Sequence, residues 1–171
     1  MTKIMNDPNS DSLLVPDDMT QERLVSNGPI IVRRRVRWGE CDPAQVVYTP
    51  RFTDYLAAAF GWFLRVVMAD VLVADDGSRL STPMKALSLE FHRVLRPDDL
   101  FDMTVHVLDV RQRTFDLHIF ARSLDNEARF EGRLSPIIVD KNFRSVDMPA
   151  RLRDALLAYQ AAWPVDMQET Q

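Results

Sequence analysis

One cysteine, Cys41, stands in 171 residues, so no internal disulfide can form and the fold must hold without one. No positively charged segment followed by an apolar stretch opens the chain, and a cytoplasmic location is therefore expected. The longest apolar runs, such as residues 57–64, fall far short of the roughly 20 residues needed to span a bilayer, so no helical membrane anchor is expected. Excess positive charge is missing too. With 21 Lys and Arg against 25 Asp and Glu, the net charge of -4 provides no general attraction for nucleic acid or an anionic membrane. A polyanionic ligand would need a local basic cluster. There is no internal repeat and no low-complexity tract. Of the three histidines, His92, His106 and His118 fall on three different predicted strands and lack the close spacing of a metal-binding pair, so no metal is expected and local hydrogen bonds should satisfy them.

What is present is an ordinary globular mixture, 46% hydrophobic and 27% charged, in a length that suits one domain. Residues 1–28 are polar, acidic and aperiodic, and read as a flexible N-terminal tail whose short apolar patch at 13–15 could dock elsewhere. The domain is expected over 29–171. It begins with Ile30, Val32, Val36 and Trp38 alternating with Ile31, Arg33, Arg35 and Arg37, a half-buried strand whose arginines form a wet face. That face explains most of the basic run Arg33, Arg34, Arg35 and Arg37, which is assigned no ligand. The cluster from Gly39 to Pro43 breaks the strand. Thr49 as N-cap and Pro50 at the first helical position then predict a helix. Phe52, Tyr55, Leu56, Ala59, Phe60, Phe63 and Val67 follow helical spacing and give it a broad apolar face for about five turns.

Beyond a loop at Asp75–Gly77, four runs read as strands: 84–95, 100–110, 114–123 and 128–139. Their short connections favour antiparallel neighbours. A last helix is predicted over 149–163, with Leu152, Ala155, Leu156, Tyr159 and Trp163 on one face. One long helix against an antiparallel sheet of about five strands is an α+β arrangement.

The segment Trp38-Gly39-Glu40-Cys41-Asp42-Pro43-Ala44-Gln45-Val46-Val47-Tyr48-Thr49-Pro50 joins the first strand to the long helix. By its residues alone it reads as an Asx-type turn of Asp42 with Pro43 and its neighbours. It also resembles the active-site loop of the 4-hydroxybenzoyl-CoA thioesterase family of hotdog proteins, which carries an aspartate in a Gly-Asp-Cys-Asp-Pro-Ala-Gly context, then an aromatic and a proline at the helix start. That resemblance implies a hotdog fold, with the sheet wrapped around the central helix. It also implies hydrolysis of an acyl-CoA or aroyl-CoA thioester without a cofactor, with Asp42 as nucleophile or general base. The helix N-terminus would stabilise the oxyanion through the backbone N–H of Thr49, since Pro50 has none. Gln45 stands where the family has glycine and Glu40 where it has aspartate. Gln45 and Tyr48 are candidates to line the acyl pocket.

The turn Asp109-Val110-Arg111-Gln112-Arg113-Thr114 reads alone as solvated. Beside the Asp42 loop, and by resemblance to a basic turn of that family, Arg111 and Arg113 become candidates to bind the CoA phosphates. The resemblance further implies a homodimer or homotetramer, and the face bearing Trp62 and Arg65 is compatible with a buried partner. Cys41, with no assigned base, reads as a small packed residue. Two rivals remain: a hotdog dehydratase or hydratase, disfavoured because no histidine lies between Ile30 and Phe91, and a non-catalytic acyl-CoA-binding protein.

Overall fold

A computed structural model describes residues 22–165. The expected tail lies outside the described residues up to position 21, but its last part is strand β1, Glu22–Asn27, so ordered structure begins earlier than position 29. Among the described residues the sheet has six strands: β1, β2 (Ile30–Arg35), β3 (Met84–Phe91), β4 (Leu100–Val110), β5 (Phe115–Ser123) and β6 (Ala128–Pro136). Their order is β1-β2-β4-β5-β6-β3 and all five pairings are antiparallel, leaving β1 and β3 at the edges.

Helix α1, Arg51–Phe63, packs on one face of this sheet because Phe52, Tyr55, Leu56, Ala59, Phe60 and Phe63 recur at helical spacing and bury together. The expected single long helix is a 13-residue α-helix continued by a five-residue π-helical turn, Leu64–Met68. The wider turn carries one extra residue per cycle, so Met68 reaches the core with no exposure while Val67, the inward residue of a regular helix, is only partly buried. Helix α2, Ala150–Ala162, seals the base of the core through Leu152, Leu156 and Tyr159. The Tyr159 hydroxyl accepts from the Ile30 amide and donates to the Val105 carbonyl, both at 2.8 Å, tying α2 to β2 and β4. No helix among the described residues is long and apolar enough to cross a membrane.

Sheet and helix meet most closely at Gly132 on β6. A Cβ there would run into both Leu56 methyl groups, Cδ2 at 2.8 Å, in a core where Leu56 has no exposure. Gly132→Ala should therefore cost about 1–3 kcal/mol by overpacking. Thermal melts of Gly132→Ala, Leu56→Ala and the double variant should show Leu56→Ala costing less in the alanine background. Additive losses would place the strain elsewhere.

Strand β2 keeps the expected faces except at Arg34 and Trp38. Ile30, Val32, Arg34 and Val36 point inward and Ile31, Arg33 and Arg35 outward, so Arg34 occupies a core position and is not part of the wet face. Trp38, expected to continue the apolar side, lies in a short 3-10 turn, Trp38–Glu40, and is 67% exposed with its indole N–H donating to Asp98.

Candidate active site

The polypeptide leaves β2 beside Leu100, at one end of the sheet, and enters a tight loop. Cys41 and Val47 form an antiparallel bridge, the Asp42 amide donates to the Val46 carbonyl and the Tyr48 amide to the Glu40 carbonyl, both at 2.9 Å. Inside this hairpin-like loop Asp42 Oδ1 accepts from the Ala44 amide at 2.8 Å and from the Val46 amide at 3.5 Å. This is the Asx turn that the residues alone suggested, and it fixes the carboxylate's rotamer. Among the described residues Oδ2 accepts no hydrogen bond, so one oxygen builds the loop and the other is available.

Gln45 adopts φ 62, the left-handed backbone conformation that glycine takes without cost. The loop thus keeps the shape that a glycine would serve, and the amide side chain is turned out to solvent. Tyr48 is likewise exposed, at 54%. Neither residue lines the cavity beside Thr49. The helix begins at Arg51 with Pro50 as its N-cap, one residue later than expected, and no side chain caps it. Thr49 is therefore not the cap. Its amide nevertheless has no acceptor among the described residues, and Thr49 borders an open, mainly apolar cavity of about 270 Å³ whose lining includes Val47, Phe52, Phe91 and Leu95 together with His92 and Arg93. The Val47 amide donates to the Leu95 carbonyl at 2.9 Å, which holds the loop against the segment that follows β3.

A buried polar network that sequence reasoning missed anchors the loop from below. Arg34, 8% exposed, donates through Nη1 to Glu22 and through Nη2 to Glu40, both at 2.7 Å, and its guanidinium lies 4.5 Å over the Tyr55 ring. Glu40 also accepts from the Arg37 amide at 2.9 Å and the Tyr55 hydroxyl at 3.0 Å, while Glu22 accepts from the Trp62 indole at 2.8 Å. Burial works against the charge on Arg34, but hydrogen bonds and attraction from Glu40 and then Glu22 outweigh it and raise its pKa. Burial opposes ionisation of Glu40 as well. The Arg37 amide and the Arg34 guanidinium overcome it and hold the carboxyl below the usual range. Burial pushes the Tyr55 phenol up strongly, with Glu40 adding to the effect. Cys41 is also pushed up, by desolvation and then by Glu40, Asp42 and Asp99, which keeps the thiol protonated and unsuited to act as a nucleophile. The one sequence signal for the network was an arginine at an inward-facing register of a strand.

Arg111 and Arg113 are not brought to this loop. They follow Val110, at the far end of the 11-residue strand β4 from Leu100, a separation of roughly 33 Å. Arg111 donates to Asp109 and Asp116 at 2.8 Å and to Thr114 at 2.9 Å, and Arg113 pairs with Asp147 at 2.6 Å. The hydrogen bond to Asp116 is the main reason that the Arg111 pKa is raised. Both guanidiniums are thus engaged by carboxylates within the subunit.

The family model of the thioesterase-like superfamily matches residues 36–156, from the end of β2 to the middle of α2. The chain belongs to the thioesterase-like superfamily. No curated protein matches it in sequence. Solved structures place this superfamily member among relatives of the same fold. A hypothetical protein from Aquifex aeolicus is 24% identical with a TM-score of 0.64, covering 75% of this chain and 99% of that one. A gentisyl-coenzyme A thioesterase is 16% identical with a TM-score of 0.62, covering 74% and 98%. A 1,4-dihydroxy-2-naphthoyl-CoA thioesterase from Synechocystis is 14% identical with a TM-score of 0.62, covering 74% and 94%.

Proposed function

We propose that this superfamily member hydrolyses an acyl-CoA or aroyl-CoA thioester, releasing a carboxylic acid and free CoA, with Asp42 as nucleophile or general base. The observation that carries the reading is the division of labour at Asp42: among the described residues Oδ1 is spent on the loop, Oδ2 is open, and on the same loop the Thr49 amide lacks an acceptor beside a mainly apolar cavity. A thioester carbonyl held at that amide gains an oxyanion donor as it becomes tetrahedral. The Asp42 carboxylate either attacks the carbonyl carbon or takes a proton from an attacking water, and the CoA thiolate leaves. This acid-base chemistry asks for no cofactor. Two thioesterases of the same fold whose names specify aromatic acyl-CoA substrates favour aroyl groups as the first ones to assay. Gln45 and Tyr48, exposed beside the cavity, are placed to meet the acyl group once a second surface closes over them.

That surface is supplied by a second copy. Edge strand β3 leaves Met84, Leu87 and Phe91 at 39%, 42% and 49% exposure, and Phe91 also lines the cavity. Antiparallel pairing of two β3 edges about a two-fold axis would continue the sheet. It would also bring the partner's Arg111 and the partner's Arg113 to the Asp42 end, where CoA phosphates could compete for them. A homodimer in solution, measured by light scattering, and its loss in Leu87→Lys are the expected results; a monomeric wild type would remove the argument for a shared site.

His92 borders the cavity and pairs with Glu131 at 3.5 Å, the histidine and acid that a hydratase would use, whereas the open Asp42 oxygen and the Thr49 amide on the loop favour hydrolysis. The direct test is thiol release from a panel of aroyl-CoA and fatty acyl-CoA thioesters. Turnover of at least one class is expected, and tight binding of acyl-CoA without turnover would instead identify a binding protein.

A further inference from the structure

On the sheet face opposite α1, at the β3 edge, two carboxylates stand directly across from one another: Glu90 of β3 is the register partner of Glu131 of β6. Like charges in that relation repel, and a cation between them would relieve the repulsion. Yet among the described residues neither forms an ion pair with a lysine or an arginine. Instead, imidazoles converge on them. Two residues on from Glu90, His92 brings Nε2 to 3.5 Å from Glu131 Oε1. Donor atoms of Glu90, His92 and Glu131 all lie within 4.8 Å of one another. Behind them His118 of β5, its side chain only 2% exposed, hydrogen-bonds through Nε2 to Glu131 Oε2 and so fixes the direction of the other oxygen.

From this convergence we propose that Glu90, His92 and Glu131 form a binding site for a divalent transition-metal ion of the zinc class, with His118 as the residue that orients Glu131. One imidazole nitrogen and two carboxylate oxygens are a hard-to-borderline donor set that suits Zn²⁺ or Co²⁺ and leaves a fourth position for water. Bonds of about 2.1 Å place tetrahedral donors roughly 3.4 Å apart, so the three exposed or half-exposed side chains need close in by only about an ångström. The ion cancels the repulsion between Glu90 and Glu131, and a carboxylate backed by a buried histidine is a recurrent way of aiming a ligand. Bound there, the metal clips edge strand β3 to β6 next to the segment whose Leu95 carbonyl holds the Asp42 loop. Sequence spacing could not reveal the site, because its donors come from two strands about 40 positions apart in the chain and meet only through sheet register.

The site does not rest on the hydrolysis reading, and its test needs no substrate. The full-length chain, stripped with chelator, is titrated with Co²⁺ while its d–d absorption is followed, then back-titrated with Zn²⁺. One ion per chain should bind at micromolar free metal, and zinc should raise the melting temperature. His92→Gln and Glu90→Gln change exposed side chains, so both fold, and each should weaken binding at least tenfold. His118→Asn should weaken it about 10–100-fold. Cys41→Ser, which removes the thiol as a competing ligand, should bind as wild type does. Absence of saturable binding, or wild-type affinity in either His92→Gln or Glu90→Gln, overturns the proposal.

Discussion

Asp42→Asn is expected to lower thioester turnover by about 10³-fold, within the 10²–10⁴ range that a positioned acid-base group provides, while leaving the melting temperature nearly unchanged. The two effects separate because the residue does two jobs. An asparagine keeps an Oδ1 that accepts from the Ala44 amide, so the loop closes as before. What it loses is the negative charge at the second oxygen, which both candidate mechanisms require. Asp42→Ala should lose turnover and also loosen the loop, since the Ala44 and Val46 amides then lack their acceptor. If Asp42→Asn folds and turns over at the wild-type rate, Asp42 is only the turn residue and another group does the chemistry. Label found in Asp42 after single turnover in H₂¹⁸O would identify the nucleophilic role, because it enters that carboxylate only if an anhydride forms and is hydrolysed at the enzyme's carbonyl.

Arg34→Met should destabilise the protein by about 3–5 kcal/mol, since it strips the cation from two carboxylates held at 11% and 21% side-chain exposure. In a chain of this size that corresponds to a drop in melting temperature of roughly 6–20 °C. The same network sets an acid limit on stability. Glu40 has a lower pKa folded than unfolded, so its contribution is fully present above the unfolded value of about 4.3 and is lost as pH falls through the lower folded value. Melting temperatures taken between about pH 6 and pH 3 should therefore fall in the wild type. In Glu40→Gln they should start lower and fall less steeply, and equal slopes would show that other carboxylates govern acid unfolding.

Much of the fold was legible because it depends on periodicity. The strands now numbered β3 to β6 and the helix α2 lie where alternation and helical spacing put them, apart from frayed ends. The Asp42 loop was legible as a break between patterns, and its Asx turn as a local property of aspartate before proline. Three things were not legible. The acidic stretch hid strand β1, because an edge strand with half-buried side chains needs no continuous apolar run. Arg34 was hidden by its arginine neighbours, because its inward register shows only when burial is known. The distance between the Asp42 loop and the Arg111 turn was invisible in one dimension, since it depends on which end of β4 each one leaves. Local chemistry is written in neighbouring residues, whereas the company a side chain keeps is decided by register.

The π-helical turn at Leu64–Met68 also says where this chain can change length. A π turn amounts to an α-helix with one residue inserted, so deletion of a single residue there would restore a regular helix and hand the inward position from one apolar side chain to its neighbour. The same deletion between Phe52 and Phe63 would rotate every later core residue by about 100° and empty the core. Among relatives of the same architecture, gains and losses of one residue in this helix should therefore gather at its C-terminal end, where the helix already holds the slack.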